Sequence, residues 1–100
     1  MYATIRRYTA NKGSIRGSVK KIQDIFLPDL KSMPGFVSYN FIEGGEEDGR
    51  DVVVTTTFCQ TREACDDSAR RAAAFVKENL GDIGLRMSNT TTGEILAQSW

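Results

Sequence analysis

Four groups of residues in this chain are able to do chemistry, and one residue type is missing. Arg6 and Arg7 are adjacent, as are Tyr39 and Asn40; Cys59 and Cys65 are the only cysteines; Glu43, Glu46, Glu47 and Asp48 form an acidic run; histidine is absent. Without histidine the commonest metal ligand, the usual general base near neutral pH and the commonest haem ligand are gone. Any reaction must run on carboxylates, tyrosine, arginine, cysteine, a cofactor or the substrate itself.

Each group has a chemical reading and a structural one. Tyr39 either donates a hydrogen bond to a phenol or quinone oxygen or is an amphipathic residue at the edge of the core. Asn40 either orients a substrate or faces water or a partner sheet. Arg6 and Arg7 are neighbours on a strand, so one points toward whatever covers each face. A buried arginine needs an acidic or carbonyl partner or an anionic ligand. One of the pair is therefore expected to line a pocket or cross a subunit interface, and the other to snorkel at the sheet edge. Cys59 has no histidine to activate it, and Asp66 and Asp67 oppose the help of the nearby helix start, so both thiols read as structural. The cysteines do not form CxxC, and a cytoplasmic chain rarely keeps a disulfide. The acidic run lacks the D-x-[DN]-x-[DN]-G order of a calcium loop and reads as a solvated hairpin tip. GSIRGS, residues 13–18, lacks the spacing of a phosphate loop and reads as a loop leading to a helix cap, with Ser14 or Ser18 as the cap.

The elements that must position these residues follow from periodicity. Met1–Tyr8 alternates as a strand, with Tyr2, Thr4, Arg6 and Tyr8 on one face and Ala3, Ile5 and Arg7 on the other. Val19, Ile22, Phe26, Leu30 and Met33 make one stripe of a helix from about Ile15 to Met33, which Pro28 should kink and Pro34-Gly35 should end. Strands are expected at about Phe36–Ile42 and Asp51–Cys59, joined by a polar turn over Glu43–Arg50. In the first, Val37, Tyr39 and Phe41 share a face opposite Phe36, Ser38, Asn40 and Ile42. Thr61 caps a helix over Arg62–Leu80 closed by Gly81, its buried stripe drawn through Ala64, Ser68 or Ala69, Ala72, Val76 and Leu80. A last strand is expected over Leu85–Ser88 and Gly93–Gln98, interrupted at Asn89–Gly93. Trp100, the only tryptophan, is the last residue.

The result is one α+β domain of βαββαβ order, a four-stranded antiparallel sheet with two helices on one face. The second hairpin strand carries no charge past its first residue on either face, and such strands are normally covered on both. Two helices cover one face, so something else must cover the other.

Composition excludes several classes. The 100 residues carry 13 Lys+Arg and 13 Asp+Glu, a formal net charge of zero with the signs interspersed, so no basic stripe invites a nucleic acid. RNA recognition modules share the βαββαβ order, but DVVVTTTFC lacks their aromatic strand signature. No apolar run approaches bilayer length and MYATIRRY is no signal peptide, so a cytoplasmic protein without membrane contact is expected.

Leu27-Pro28, Met33-Pro34-Gly35-Phe36, Thr61-Arg62-Glu63-Ala64 and Thr92-Gly93-Glu94, in this order of elements, resemble the dimeric α+β barrel proteins, and most of all the antibiotic biosynthesis monooxygenase-like (ABM) group. The resemblance spans nearly the whole chain. It implies a homodimer in which two ferredoxin-like units close a barrel sheet against sheet, which would supply the missing cover. It places a pocket for a small aromatic or lipophilic ligand between sheet and helices, with Arg6, Phe26, Tyr39, Asn40 and Phe58 as candidate lining and with no metal or cofactor. The function implied is cofactor-independent monooxygenation of a small aromatic; the alternative is a non-catalytic small-molecule-binding or sensing homodimer. Two positions depart from the group: Cys59 and Ser68 stand where its members place a tryptophan and a histidine.

Overall fold

The computed structural model describes residues 1–99, so Trp100 lies outside the described residues. Its elements are β1 (Tyr2–Asn11), α1 (Ile15–Lys21), a π-helical turn (Ile22–Phe26), α2 (Leu27–Lys31), β2 (Phe36–Glu47), β3 (Arg50–Cys59), α3 (Arg62–Asn79), a 3-10 turn (Gly81–Ile83) and β4 (Arg86–Glu94). The strands form one antiparallel sheet in the order β2-β3-β1-β4. Four antiparallel strands with the helical segments α1–α2 and α3 make a ferredoxin-like fold.

The first helical segment runs on from α1 through the π turn into α2. The Leu27 amide reaches back five residues to the Ile22 carbonyl, just before Pro28, where an α-helical ladder would lack a donor. Steps of four, as in Ile22, Phe26 and Leu30, overshoot an α-helical turn by about 40° each. The wider π turn takes up that drift, so all three side chains stay buried against the sheet. Ser14 sits at the N-cap, but its hydroxyl turns back to donate to the Asn11 carbonyl, and the Ser18 hydroxyl donates to Ile15, so neither caps by side chain. Thr61 does cap: its Oγ1 accepts from the Ala64 amide at 3.1 Å.

Three expected boundaries are corrected. The hairpin is longer than Glu43–Arg50 allowed, because the reversal is made by Asp48 (φ 52°) and Gly49 (φ 75°) alone. Two left-handed residues are what a two-residue type I′ turn requires. The strand before it pairs on to Glu47, past an irregularity between Glu43 and Glu46. β4 is continuous through Asn89–Gly93 and ends at Glu94, because Thr90, Thr91 and Thr92 pair directly with β1, and Thr92 Oγ1 lies 3.0 Å from Thr4 Oγ1. Its irregularity falls earlier, opposite Arg7 and Tyr8. Alternation in β2 also breaks: Val37 is an extra residue between the pairs Phe36–Cys59 and Ser38–Phe58. Phe36 therefore joins Tyr39 and Phe41 against the core, and Val37 is left exposed.

The core lies between the helices and the sheet face bearing Tyr8, Ala10, Val53, Thr55 and Thr57, with Ile15, Ile22, Phe26, Leu30 and Phe75 facing it. Among the described residues no helix covers the opposite face, which presents Ile5, Ile42, Val54, Thr56 and Phe58.

The turn between α2 and β2 rests on Gly35, which is left-handed (φ 81°) and whose carbonyl accepts from the Gln60 amide at 2.8 Å. A Cβ there would stand 3.0 Å from Ala64 Cβ, at the buried start of α3. Gly35→Ala is expected to cost about 1–3 kcal/mol, read as a lower urea midpoint with unchanged m-value.

Candidate functional site

Phe26 ties the three packed elements together. Its ring stacks on Phe75 of α3 with centroids 4.9 Å apart and meets Tyr39 of β2 edge-on at 5.2 Å. These contacts hold the α1–α2 segment over β2 and β3 and leave β4 to one side. Along the flank of α3 above β1 and β4 the side chains are short: Ala69, Ala72 and Ala73 leave a cleft of about 420 Å³ between helix and sheet. Its floor is Arg6 and Tyr8, its far wall is Leu85, Met87 and Thr90, and Lys77 stands at its rim. Beneath it, a void of about 20 Å³ is bordered by Arg6, Tyr8, Phe26, Tyr39 and Thr55. Arg6, Tyr8, Ala72, Val76 and Leu85 border both spaces.

Arg6 is 4% exposed, and its Nη2 is buried without a hydrogen-bond partner. Thr55, its register partner on β3, has a buried hydroxyl that makes no well-formed hydrogen bond and lies beside the Tyr39 phenol. Burial holds the Tyr8 phenol above the usual tyrosine range, against the opposing pull of Arg6. Tyr39 is pushed higher still by burial and then by Tyr8, with Arg6 and the Thr55 hydroxyl opposing. Both phenols are therefore neutral at physiological pH, able to donate hydrogen bonds and unable to act as bases.

Of the five expected lining residues, the structure brings together Arg6, Phe26 and Tyr39. Asn40 and Phe58 do not join them. Successive strand residues face opposite ways, so Asn40 cannot share a face with Tyr39; it is exposed on the uncovered face and its Nδ2 donates to Thr56 Oγ1 at 3.0 Å. Phe58 lies on that same face, in register with Ala3 and Ser38. Arg7 also faces that way, paired with Glu47 and donating to the Ser88 hydroxyl at 3.1 Å.

The acidic run is tied down rather than free: Glu43 pairs with Arg16 and Glu46 with Lys12, each at 3.2 Å. Among the described residues no group of three potential ligands could hold a metal ion. Cys59 is fully buried, and burial, then Cys65, push its thiol up to about 12, which makes it inert. Ser68 is buried and its hydroxyl donates to the Cys65 carbonyl at 2.6 Å, so neither departing position reaches the cleft.

The sequence reading missed Tyr8, Thr55 and Phe75. Phase identifies Tyr8, which shares its strand face with Arg6. Phe75 continues the buried run Ser68, Ala72, which the expected stripe carried on through Val76 alone. The cleft itself depends on short side chains on α3: Ala72 is buried in the core at its inner edge, while Ala69 and Ala73 border the open space.

No family model matches the sequence, and no curated protein matches it. Solved structures do. HapK from Hahella chejuensis superposes with a TM-score of 0.76 at 13% identity, over 100% of this chain and 97% of that one. A dimeric ferredoxin-like protein from an uncultured marine organism gives 0.74 at 9% identity, over 100% and 99%. A presumed antibiotic biosynthesis monooxygenase from Chloroflexus aurantiacus J-10-fl gives 0.69 at 15% identity, over 99% and 96%. At these identities the likeness is one of fold, and it extends over the full length of the chain. Among the described residues no helix is long and apolar enough to cross a membrane.

A buried, unpaired guanidinium destabilises the fold that holds it. Arg6→Met is therefore expected to raise stability by about 1–3 kcal/mol in urea denaturation. A loss of similar size would mean that Arg6 has a structural partner.

Proposed function

We propose that this chain is a homodimeric, ABM-like small-molecule protein that takes a planar aromatic ligand into the α3–β4 cleft, and that its reaction is cofactor-independent monooxygenation. The observation that carries this reading is the cleft. Its roughly 420 Å³ falls in the range of small-ligand sites, and it is mainly apolar with a few polar groups at the floor, as such sites are. The presumed monooxygenase among the structural neighbours supports the reaction class, and the neighbour described as dimeric supports the assembly.

In such a reaction the electrons come from the substrate. An electron-rich ring bearing a CH₂ group reacts with O₂; one oxygen atom becomes a carbonyl oxygen, and the other leaves as water with the two hydrogens. No external reductant is needed. The protein would orient the ring along the alanine flank of α3, with the neutral phenols of Tyr8 and Tyr39 as hydrogen-bond donors beneath it. A second reading, binding or sensing without turnover, is favoured by one observation: Tyr8 at the floor and Tyr39 beneath it are shifted away from, not toward, acid–base work near neutral pH.

The dimer would form through the uncovered sheet face, where Ile5 is 46% and Ile42 45% exposed. A second sheet packed there would bury these residues and close the barrel. Light scattering at micromolar concentration is expected to give twice the chain mass; a monomer would remove the barrel from the proposal.

Oxygen uptake with anthrone-like compounds, without added metal or flavin, separates the two readings. Uptake in which an oxygen atom of O₂ becomes the new carbonyl oxygen, without release of hydrogen peroxide, supports the oxygenase, and ligand-induced melting shifts without uptake support the binder. Ala73→Trp, at the exposed lip of the cleft, is expected to weaken aromatic binding by about tenfold or more while leaving stability within about 0.5 kcal/mol. Unchanged affinity would place the ligand elsewhere.

A further inference from the structure

Arg6 combines two features: its side chain is buried, and no anion is paired with it. Among the described residues, ion pairs engage Arg7, Lys12, Arg16, Lys20, Arg70 and Arg71, all at least partly exposed. Arg6, the most buried arginine, has no such partner. The groups that face it are Tyr8 on its own strand, Tyr39 on β2, Thr55 and more distantly Cys59 on β3, and, across the cleft, Lys77 on α3. None is an anion. Burial keeps Tyr8 and Tyr39 protonated, so no tyrosinate neutralises the guanidinium. One water would fit the void beneath Arg6 and could satisfy the orphan atoms of Arg6 and Thr55, but water carries no charge. A subunit docked on the uncovered face would meet Arg7, because Arg6 points the other way.

A guanidinium is placed in an apolar wall without a counter-ion only at a cost in stability, and it is the side chain best suited to a planar oxyanion. We infer that the cleft selects an anionic ligand: a planar aromatic molecule bearing one oxyanion, carboxylate or phenolate, docked on Arg6. This rests on the proposed function only in taking the α3–β4 cleft as the binding site. It requires no oxygenase activity and holds equally for a binding protein.

The test uses the full chain and three probes: 1-naphthoate, its uncharged amide 1-naphthamide, and 4-nitrophenol, whose absorbance distinguishes phenol from phenolate. The native protein is expected to bind naphthoate about tenfold or more tightly than naphthamide by calorimetry. It is also expected to hold 4-nitrophenol as the phenolate about one pH unit below its solution pKa. Arg6→Met should abolish both preferences while retaining naphthamide binding, and Arg6→Gln, which keeps a polar group without the charge, should behave alike if the methionine variant aggregates. A response to naphthoate alone assigns the site to carboxylates, and one to nitrophenolate alone to phenolates; either supports the inference.

Equal affinity for naphthoate and naphthamide together with no phenolate band overturns it, as does an anion preference that survives both substitutions or the absence of binding by all three probes. Ala73→Trp keeps the two readings apart. If that variant binds every probe normally while the preference still follows Arg6, the cleft reading fails and the anion inference stands. If it blocks all probes but native binding ignores charge, the reverse holds.

Discussion

A single aromatic side chain, Phe26, sets the geometry on which the rest of the molecule depends. It stacks on Phe75 and meets Tyr39 edge-on, so one ring fixes the spacing of the first helical segment, α3 and β2 at once. The π turn that ends at Phe26 keeps it in line with Ile22 and Leu30, and Pro28 gives that turn its place. With the aromatic mass concentrated over β2 and β3, the side chains that α3 turns toward β4 are mostly small: Ala69, Ala72 and Ala73, with Val76 and Lys77. A cleft opens there because the small side chains have nothing large to interlock with.

The same layout accounts for where the destabilising group is kept. Arg6 is on β1, one of the two central strands, at the boundary between the packed aromatic region and the open cleft. Arg7, Lys12, Arg16, Lys20, Arg70 and Arg71 are ion-paired at the surface, where each pair contributes about 0–1 kcal/mol. At this one position a charge is taken out of water, and the residues around it remain neutral.

The two sheet faces divide the work. The helix-covered face carries the core and the cleft. The uncovered face carries Ile5, Ile42, Val54 and Phe58, a surface suited to another sheet. A single residue of phase separates the two, which is why Arg6 and Arg7, adjacent in the chain, have unrelated surroundings: one is buried beside Tyr8 with no ion pair, the other is paired with Glu47.

Much of this could be read from the chain before any coordinates, because it rests on local rules. Strand alternation assigned Tyr2, Thr4, Arg6 and Tyr8 to one face of β1 and split β3 correctly. The spacing of Ile22, Phe26, Leu30 and Met33 marked the buried side of the first helical segment, and Thr61 marked the start of α3. The paired strands and helices defined βαββαβ order. What alternation alone could not see was its own interruption: the extra residue Val37 moves Phe36 into the core, and Asp48-Gly49 carries the hairpin beyond Glu43. Only the tertiary structure decided that Arg6, Phe26 and Tyr39 meet, that Asn40 and Phe58 turn away, and that Ala69 and Ala73 of α3 border an open cleft. Those outcomes depend on which side chains are opposite one another across layers far apart in sequence, and no local period encodes that.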